Sequence, residues 1–249
     1  PKMLVCDNQT KINYIDLNLS VVDKKILESF PSSKQKKSTF FEIAQLLPTT
    51  GSTATPKFVT LTHKNLISNC KSILKYLSID TNDKIALVLP LSYTFGLSIL
   101  HTFLKSQAQI LICNDFIFFK NLFADILEHK CNFFAGVPSH YNLLLTKSNL
   151  ESSSLHSLSS FLQAGGHMEP DSIIKFLDYF PDADFFVMYG QTEATARITY
   201  LNPKDLNDNL GSVGMPIDGV NLEILDDFGN PAKKGEIVIS GDNVMKGYY

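Results

Sequence analysis

No stretch of this 249-residue chain is long and apolar enough to read as a membrane span. The longest apolar runs, "IALVLPL" (85–91) and "QILIC" (109–113), fall far short of the roughly 20 residues a crossing helix needs. The opening "PKMLVCDNQT" lacks the charged-then-apolar order of a secretory leader, so a cytoplasmic location without membrane insertion is the expectation. Cysteine is sparse. Cys6, Cys70, Cys113 and Cys131 are scattered with no C-x-x-C pair, which favours free thiols over disulfides or a zinc site. No excess of positive charge exists to hold nucleic acid: the formal net charge is −3, and the one basic cluster, "KQKK" at 34–37, reads as a solvated loop tip. The six histidines show no H-E-x-x-H spacing, and G-x-S-x-G is missing, which argues against hydrolases. The common phosphate loop G-x-x-x-x-G-K-[ST] is absent too, as are the kinase motifs.

What is present is a 44% apolar chain able to bury a substantial core. Residues 63–77 place Leu66, Ile67, Cys70, Ile73, Leu74 and Leu77 on one helical face, with Thr62 as N-cap. "KIALVLP" (84–90) is a continuous apolar run ended by proline, as in a strand covered on both faces. "QILIC", "CNFFAGV", "SFLQA" and "DFFVMY" repeat that character, alternating with the helical "SYTFGLSILHTFLKS" (92–106) and with helical segments near 118–130, 138–147 and 170–180. Such alternation predicts right-handed β-α-β units around a largely parallel sheet. After Tyr189 the style changes, and "VNLEIL" and "EIVIS", separated by the turn-rich "DDFGNPAKKG", read as an antiparallel hairpin.

In a parallel sheet, ligands bind outside the carboxyl ends of strands, and that rule selects three loops here. "TTGSTATPK" offers hydroxyls from Thr49, Thr50, Ser52 and Thr53, the backbone freedom of Gly51 and the charge of Lys57, which suit a polyphosphate; a hydroxyl-rich surface turn explains it equally well. "AGGHMEP" carries Gly165 and Gly166, a platform for a flat group or a tight turn into the next helix, followed by His167. "YGQTEAT" ends in Glu193, an oxygen ligand of the kind Mg²⁺ takes, beside Thr192 and Tyr189; a solvated loop glutamate is the plain alternative.

Taken together, these segments resemble the AMP-forming adenylating enzymes, which include acyl-CoA synthetases and peptide-synthetase adenylation domains. "TTGSTATPK" is similar to their T-S-G-S-T-G-x-P-K signature, "LTHKNL" to S-H-x-N-L, "LPLSYTFG" to P-L-x-H/Y-x-x-G, and "FFAGVPSHY" to G-V-P-T. "QAGGHMEP" resembles the glycine-pair segment, "MYGQTEAT" the Y-G-x-T-E motif, and "GSVGMPIDGVNLEILD" with "GEIVISGDNVMKGYY" the segments that follow it. The resemblance implies an α/β fold, mostly parallel sheet with flanking helices, followed by part of a small antiparallel β-barrel. It implies activation of a carboxylic acid by ATP and Mg²⁺ to acyl-AMP plus pyrophosphate, for transfer to coenzyme A or a carrier-protein thiol.

By the same resemblance Thr49, Thr50, Gly51, Ser52, Thr53 and Lys57 hold the β- and γ-phosphates. Gly165, Gly166, His167, Tyr189, Gly190 and Gln191 border the nucleoside, Thr192 meets the α-phosphate, and Glu193 binds Mg²⁺. Lys57, Thr192 and Glu193 form the catalytic set, and Tyr93, Gly136, Val137 and Pro138 form the acyl pocket. Ala54 and Phe58 replace two of the family's glycines, and Tyr93 a common histidine, which separates the acid from that of many acyl-CoA synthetases. The expected divisions are 1–62, closing a first α/β subdomain, 63–200, a second, and 201–249, a barrel portion. The family's ribose-binding aspartate and mobile lysine-bearing domain have no counterpart here. The chain therefore reads as about half of such an enzyme, truncated at both ends and itself inactive; a non-catalytic nucleotide- or acyl-binding homologue is the rival reading.

Overall fold

Short apolar runs make the strands of the central sheet, and amphipathic segments between them make its covering helices. The computed structural model describes residues 3–6, 20–23, 42–49, 57–113, 116–147 and 155–249. The chain divides into two units, Pro1–Phe41 and Glu42–Tyr249, so positions 62 and 200 both fall inside the second. In the first, β1 (Met3–Cys6) and β2 (Ser20–Asp23) pair in parallel.

The second unit runs β3 (Ile43–Thr49), β4 (Lys57–Thr62), α1 (His63–Leu77), β5 (Lys84–Leu87), α2 (Thr94–Lys105), β6 (Gln109–Ile112), α3 (Phe119–His129), β7 (Phe133–Gly136), α4 (Pro138–Lys147), β8 (Ser160–Gln163), α5 (Pro170–Leu177) and β9 (Asp184–Tyr189). It continues through β10 (Thr199–Leu201), β11 (Met215–Pro216), β12 (Val220–Leu225), β13 (Glu236–Gly241) and β14 (Gly247–Tyr248). A seven-stranded sheet takes the order β11-β10-β9-β8-β7-β5-β6. It is parallel from β9 to β6 and antiparallel where β10 and β11 join, as the α/β pattern implies.

Strand periodicity sorts this core into two layers. Phe134, Phe161 and Phe185 pack on one face with Ile126, Tyr141 and Phe176. Their neighbours Phe133, Leu162 and Phe186 pack on the other, with Ile73, Ile99 and Phe103. Tyr141 and Phe176 meet edge to face at 5.1 Å, and the Tyr141 hydroxyl donates to the Leu162 carbonyl at 2.9 Å, so its polar end is satisfied inside the core. Burial pushes the Cys113 thiol up to about 12 and the Cys131 thiol up to about 11, and both are free. Among the described residues no helix is long and apolar enough to cross a membrane.

One expected feature differs. β3 and β4 are antiparallel, with Thr49 opposite Lys57 and β14 on the far edge of β4. The hydroxyl-rich loop therefore joins two strands of a separate three-stranded sheet and does not follow a parallel strand. Residues 50–56, with Thr50, Gly51, Ser52 and Thr53, lie outside the described residues. β12 and β13 form the hairpin read from their alternating pattern.

Helix α1 also departs from its apolar stripe. Ile73 and Leu77 are buried as expected, but Leu66 and Cys70 are half-buried and Ile67 is exposed, lining a groove with His101 and Leu104 of α2. A polar face goes inward instead. Asn65 Nδ2 donates to the carbonyls of Asp242 and Val244, both at 2.8 Å, Asn69 Nδ2 to that of Arg197 at 2.8 Å, and Ser72 Oγ to that of Asp218 at 2.7 Å. Irregular segments bring carbonyls that need donors, and these side chains supply them. Asn65 and Thr62 also form a reciprocal cap: Thr62 Oγ1 accepts from the Asn65 N–H at 3.1 Å, and Asn65 Oδ1 from the Thr62 N–H at 2.7 Å.

Two substitutions separate these roles in urea denaturation. Thr62→Ala should cost about 1 kcal/mol, the worth of a cap. Asn65→Ala, which also strips donors from two distant carbonyls, should cost roughly 2–4 kcal/mol; equal losses would show that the tertiary bonds contribute nothing.

Candidate active site

The carboxyl ends of β5, β7, β8 and β9 open toward one edge of the sheet, and the glycine-bearing loops after β8 and β9 frame two adjoining cavities there. The larger, about 410 Å³, is lined by Gly165, Gly166 and His167 from the first loop and Tyr189 and Gly190 from the second, with Gly211–Val213 closing it. Met168, Ile173, Val187 and Met188 add apolar side chains to its wall. Gly165 has φ +83°, and a Cβ there would press to 3.0 Å from Val137 Cγ1. Val137 and, behind Gly166, Pro138 therefore support the glycine pair, while Gly136 is buried against Tyr141 and His140. Of the four residues expected to form the acyl pocket, Tyr93 lines the smaller cavity and Gly136, Val137 and Pro138 do not. His167 stays exposed, 3.8 Å from Glu169.

Gln163, absent from the sequence-based set, also lines the larger cavity. It is buried, its Nε2 donates to the Gly166 carbonyl at 2.9 Å, and its Oε1 has no partner among the described residues. An amide so fixed offers a desolvated acceptor to a flat, amine-bearing ligand.

The smaller cavity, about 150 Å³, shares Gly165 and Gly190 with the larger and adds Tyr93, Thr94, Phe95, Gln191, Thr192 and Arg197. The Thr94 and Thr192 hydroxyls meet at 2.9 Å. Gly190 has no substitute here, because a Cβ on it would lie 1.5 Å from the Ala196 carbonyl oxygen. Thr192–Ala194 form one 3₁₀ turn, and Thr195 and Ala196 follow with φ of 62° and 114°, an uncommon backbone for residues bearing a Cβ. Asn243 holds that turn: its Nδ2 donates to the carbonyls of Ala194 at 3.2 Å and Arg197 at 3.3 Å, and its own carbonyl accepts from Thr195 Oγ1. No local pattern in the sequence marks Asn243, since its partners are some fifty positions away in the chain.

Glu193 points to the other sheet. Its Oε1 accepts from the Tyr248 hydroxyl at 2.9 Å, and its carbonyl accepts from the Met245 N–H at 2.8 Å. The hydrogen bond to this carboxylate pushes the Tyr248 phenol above its ordinary range, because ionisation would set two anions together. Lys57 Nζ lies 5.1 Å from the centre of the Tyr248 ring, and Thr49 Oγ1 donates to the Lys57 carbonyl at 3.3 Å. Through Tyr248, the foot of the hydroxyl-rich hairpin is thus in contact with Glu193. Among the described residues no group of three or more His, Cys, Asp or Glu side chains is placed to hold a metal ion, so Glu193 stands as a single carboxylate.

The sequence profile of a family described as AMP-binding enzyme matches residues 5–249. Feruloyl-CoA synthase of an Amycolatopsis species is 30% identical over 213 residues, covering 84% of this chain and 43% of the relative. Oxalate–CoA ligase of Saccharomyces cerevisiae is 29% identical over 248 residues, covering 97% of this chain and 44% of the relative. The chain thus spans less than half the length of either. The fold matches that of o-succinylbenzoate CoA synthetase from Bacillus subtilis in complex with its acyl-adenylate, with a TM-score of 0.79 at 24% identity over 99% of this chain and 51% of that one.

The two glycine contacts give opposite expectations. Gly190→Ala, with main chain in the way, should lower stability by roughly 3 kcal/mol or more. Gly166→Ala, whose Cβ would meet Pro138 Cγ at 3.4 Å, should fold within about 1 kcal/mol of the parent. Similar melting of the two variants would contradict the close approach at Ala196.

Proposed function

The chain belongs to the AMP-binding enzyme family, and from that premise we propose that it forms the nucleotide- and acid-binding part of a ligase that activates a carboxylic acid with ATP. A carboxylate oxygen of the acid attacks the α-phosphorus, and the bond from that phosphorus to the bridging oxygen breaks. Pyrophosphate leaves with the electron pair, giving an acyl-adenylate. A thiol, from coenzyme A or a carrier protein, then displaces AMP. The observation that carries the reading is the junction of the two cavities at Gly165 and Gly190, with Thr192 in the wall of the smaller and Glu193 next in the chain. A base-sized space and an acid-sized space meet where the acid and the α-phosphate have to react.

In this reading the larger cavity takes the adenine, with Tyr189 beside it and Gln163 Oε1 accepting from the exocyclic amine. Gly166, His167 and Gln191 complete the border. The Thr192 hydroxyl, positioned by Thr94, contacts the α-phosphate. Lys57 and the hydroxyls of Thr49, Thr50, Ser52 and Thr53, with the backbone at Gly51, serve the β- and γ-phosphates. The donor set fits Mg²⁺: that ion takes one or two carboxylates and fills its shell with phosphate oxygens and water, and Glu193 Oε2 is not the oxygen held by Tyr248. Bound there, Mg²⁺ would supply neutralisation of phosphate charge. Tyr93 and Phe95 wall the space for the acyl group. Catalysis by this chain's residues is then positioning and charge stabilisation, with no covalent step on the protein.

Two measurements test this. In calorimetry with ATP and Mg²⁺, Lys57→Ala and Glu193→Ala should each weaken binding by about tenfold or more, the worth of one charged contact. Carboxylate-dependent exchange of labelled pyrophosphate into ATP should occur with at least one acid of a broad panel and fall about 10²-fold in Glu193→Ala. ATP binding with no acid-dependent exchange would leave a nucleotide-binding protein and remove the ligase.

A further inference from the structure

The chain has 22 lysines and arginines together, and only one of them, Arg197, is an arginine. That same residue is, among the described residues, the only charged side chain in the buried set, at 1% exposure. Arginine is almost never fully buried unless it is paired. Here Nε donates to the Tyr76 hydroxyl at 3.2 Å and the guanidinium lies 4.8 Å over the Phe95 ring, both neutral partners. Burial raises the Tyr76 phenol, so it offers no negative charge at neutral pH. Nη2 is buried with no hydrogen-bond partner, and no carboxylate pairs with Arg197, among the described residues. An uncompensated buried cation is among the costlier features a fold can carry.

Its location suggests what compensates it. Arg197 lines the smaller cavity, whose other described walls come from Tyr93, Thr94, Phe95, Ala164, Ala196 and the glycine and Thr192 loops, with no acidic side chain. Thr94 and Thr192, whose hydroxyls meet, line that cavity, and so does Arg197, which keeps one donor that no described residue uses. A guanidinium presents its N–H groups in a planar fork that matches a carboxylate, which an ammonium does not. We propose that Arg197 binds a second carboxylate of the acid, so that the substrate is a compact dicarboxylic acid activated at its other end. The assignment of the reacting end rests on the ligase reading; the anion subsite at Arg197 does not. A space of about 150 Å³ favours a short chain over a long acyl tail.

Calorimetry with length-matched acids tests the subsite directly: succinate against butanoate, and glutarate against pentanoate, on the parent chain, Arg197→Gln and Arg197→Lys. One diacid should bind the parent on the order of 10- to 100-fold more tightly than its matched monoacid. Arg197→Gln should erase that preference and Arg197→Lys retain part of it. Equal binding of both members of each pair by the parent, no binding of any diacid, or a preference that survives in a folded Arg197→Gln protein overturns the proposal. The parent comparison decides even if both variants fail to fold. Pyrophosphate exchange separates the two readings. Arg197-dependent diacid binding without acid-dependent exchange removes the ligase and leaves the subsite. Exchange supported equally by monoacids and diacids, and unchanged in Arg197→Gln, removes the subsite and leaves the ligase.

Discussion

Asn65, Asn69 and Ser72 stand about one turn apart on α1, and each gives a hydrogen to a main-chain carbonyl of a different irregular segment. The segments so held are the stretch before β14, the strand-to-strand turn after Glu193, and the approach to β12. None has helix or ladder partners for those oxygens, and a carbonyl buried without a donor costs about 1–3 kcal/mol. One polar helix face thus joins the parallel sheet, the Glu193 turn and the short sheet that carries Lys57. At the Glu193 turn Asn243 joins Asn69 in holding the carbonyls that flank the positive-φ backbone at Thr195 and Ala196.

The two cavities differ in what lines them. The larger is walled by glycines, the fixed Gln163 amide and the side chains of Met168, Ile173, Val187, Met188 and Tyr189. The smaller is walled by hydroxyls, aromatic rings and the arginine. They abut at Gly165 and Gly190, and the Ala196 oxygen packed against Gly190 sets how near they come. Tyr248 touches both Glu193, in the turn after β9, and Lys57, on β4.

Much of this was legible in the sequence for a simple reason: strand burial has period two, and a parallel strand buried on both faces reads as a continuous apolar run. "KIALVLP" and "CNFFAGV" carried that signal, and the rule that ligands gather at strand ends then selected the loops at Gly165 and Tyr189. The same rule misplaced the hydroxyl-rich loop, because β3 is as apolar as a parallel strand although it belongs to an antiparallel hairpin. Helix α1 was misread in its inward face for a related reason. Hydrophobic periodicity finds apolar stripes, and a face that buries asparagine and serine against carbonyls has none to find. Asn243 and Arg197 carry no local signature either, because their partners are far away in the chain; Gln163 bonds a carbonyl only three residues on, and what distinguishes it is burial. Arg197 did leave one compositional trace, as the only arginine among so many lysines.

The seam on α1 grips oxygens of the main chain, and at position 197 Asn69 and Asn243 hold the peptide carbonyl and not the guanidinium. Every amino acid presents the same carbonyl. These hydrogen bonds are therefore indifferent to which side chain residue 197 carries, whereas the guanidinium is fixed separately by Tyr76 and Phe95. The turn thus has two supports of different kinds: main-chain bonds that any residue at position 197 could make, and side-chain packing that only a long, planar cation makes in this way.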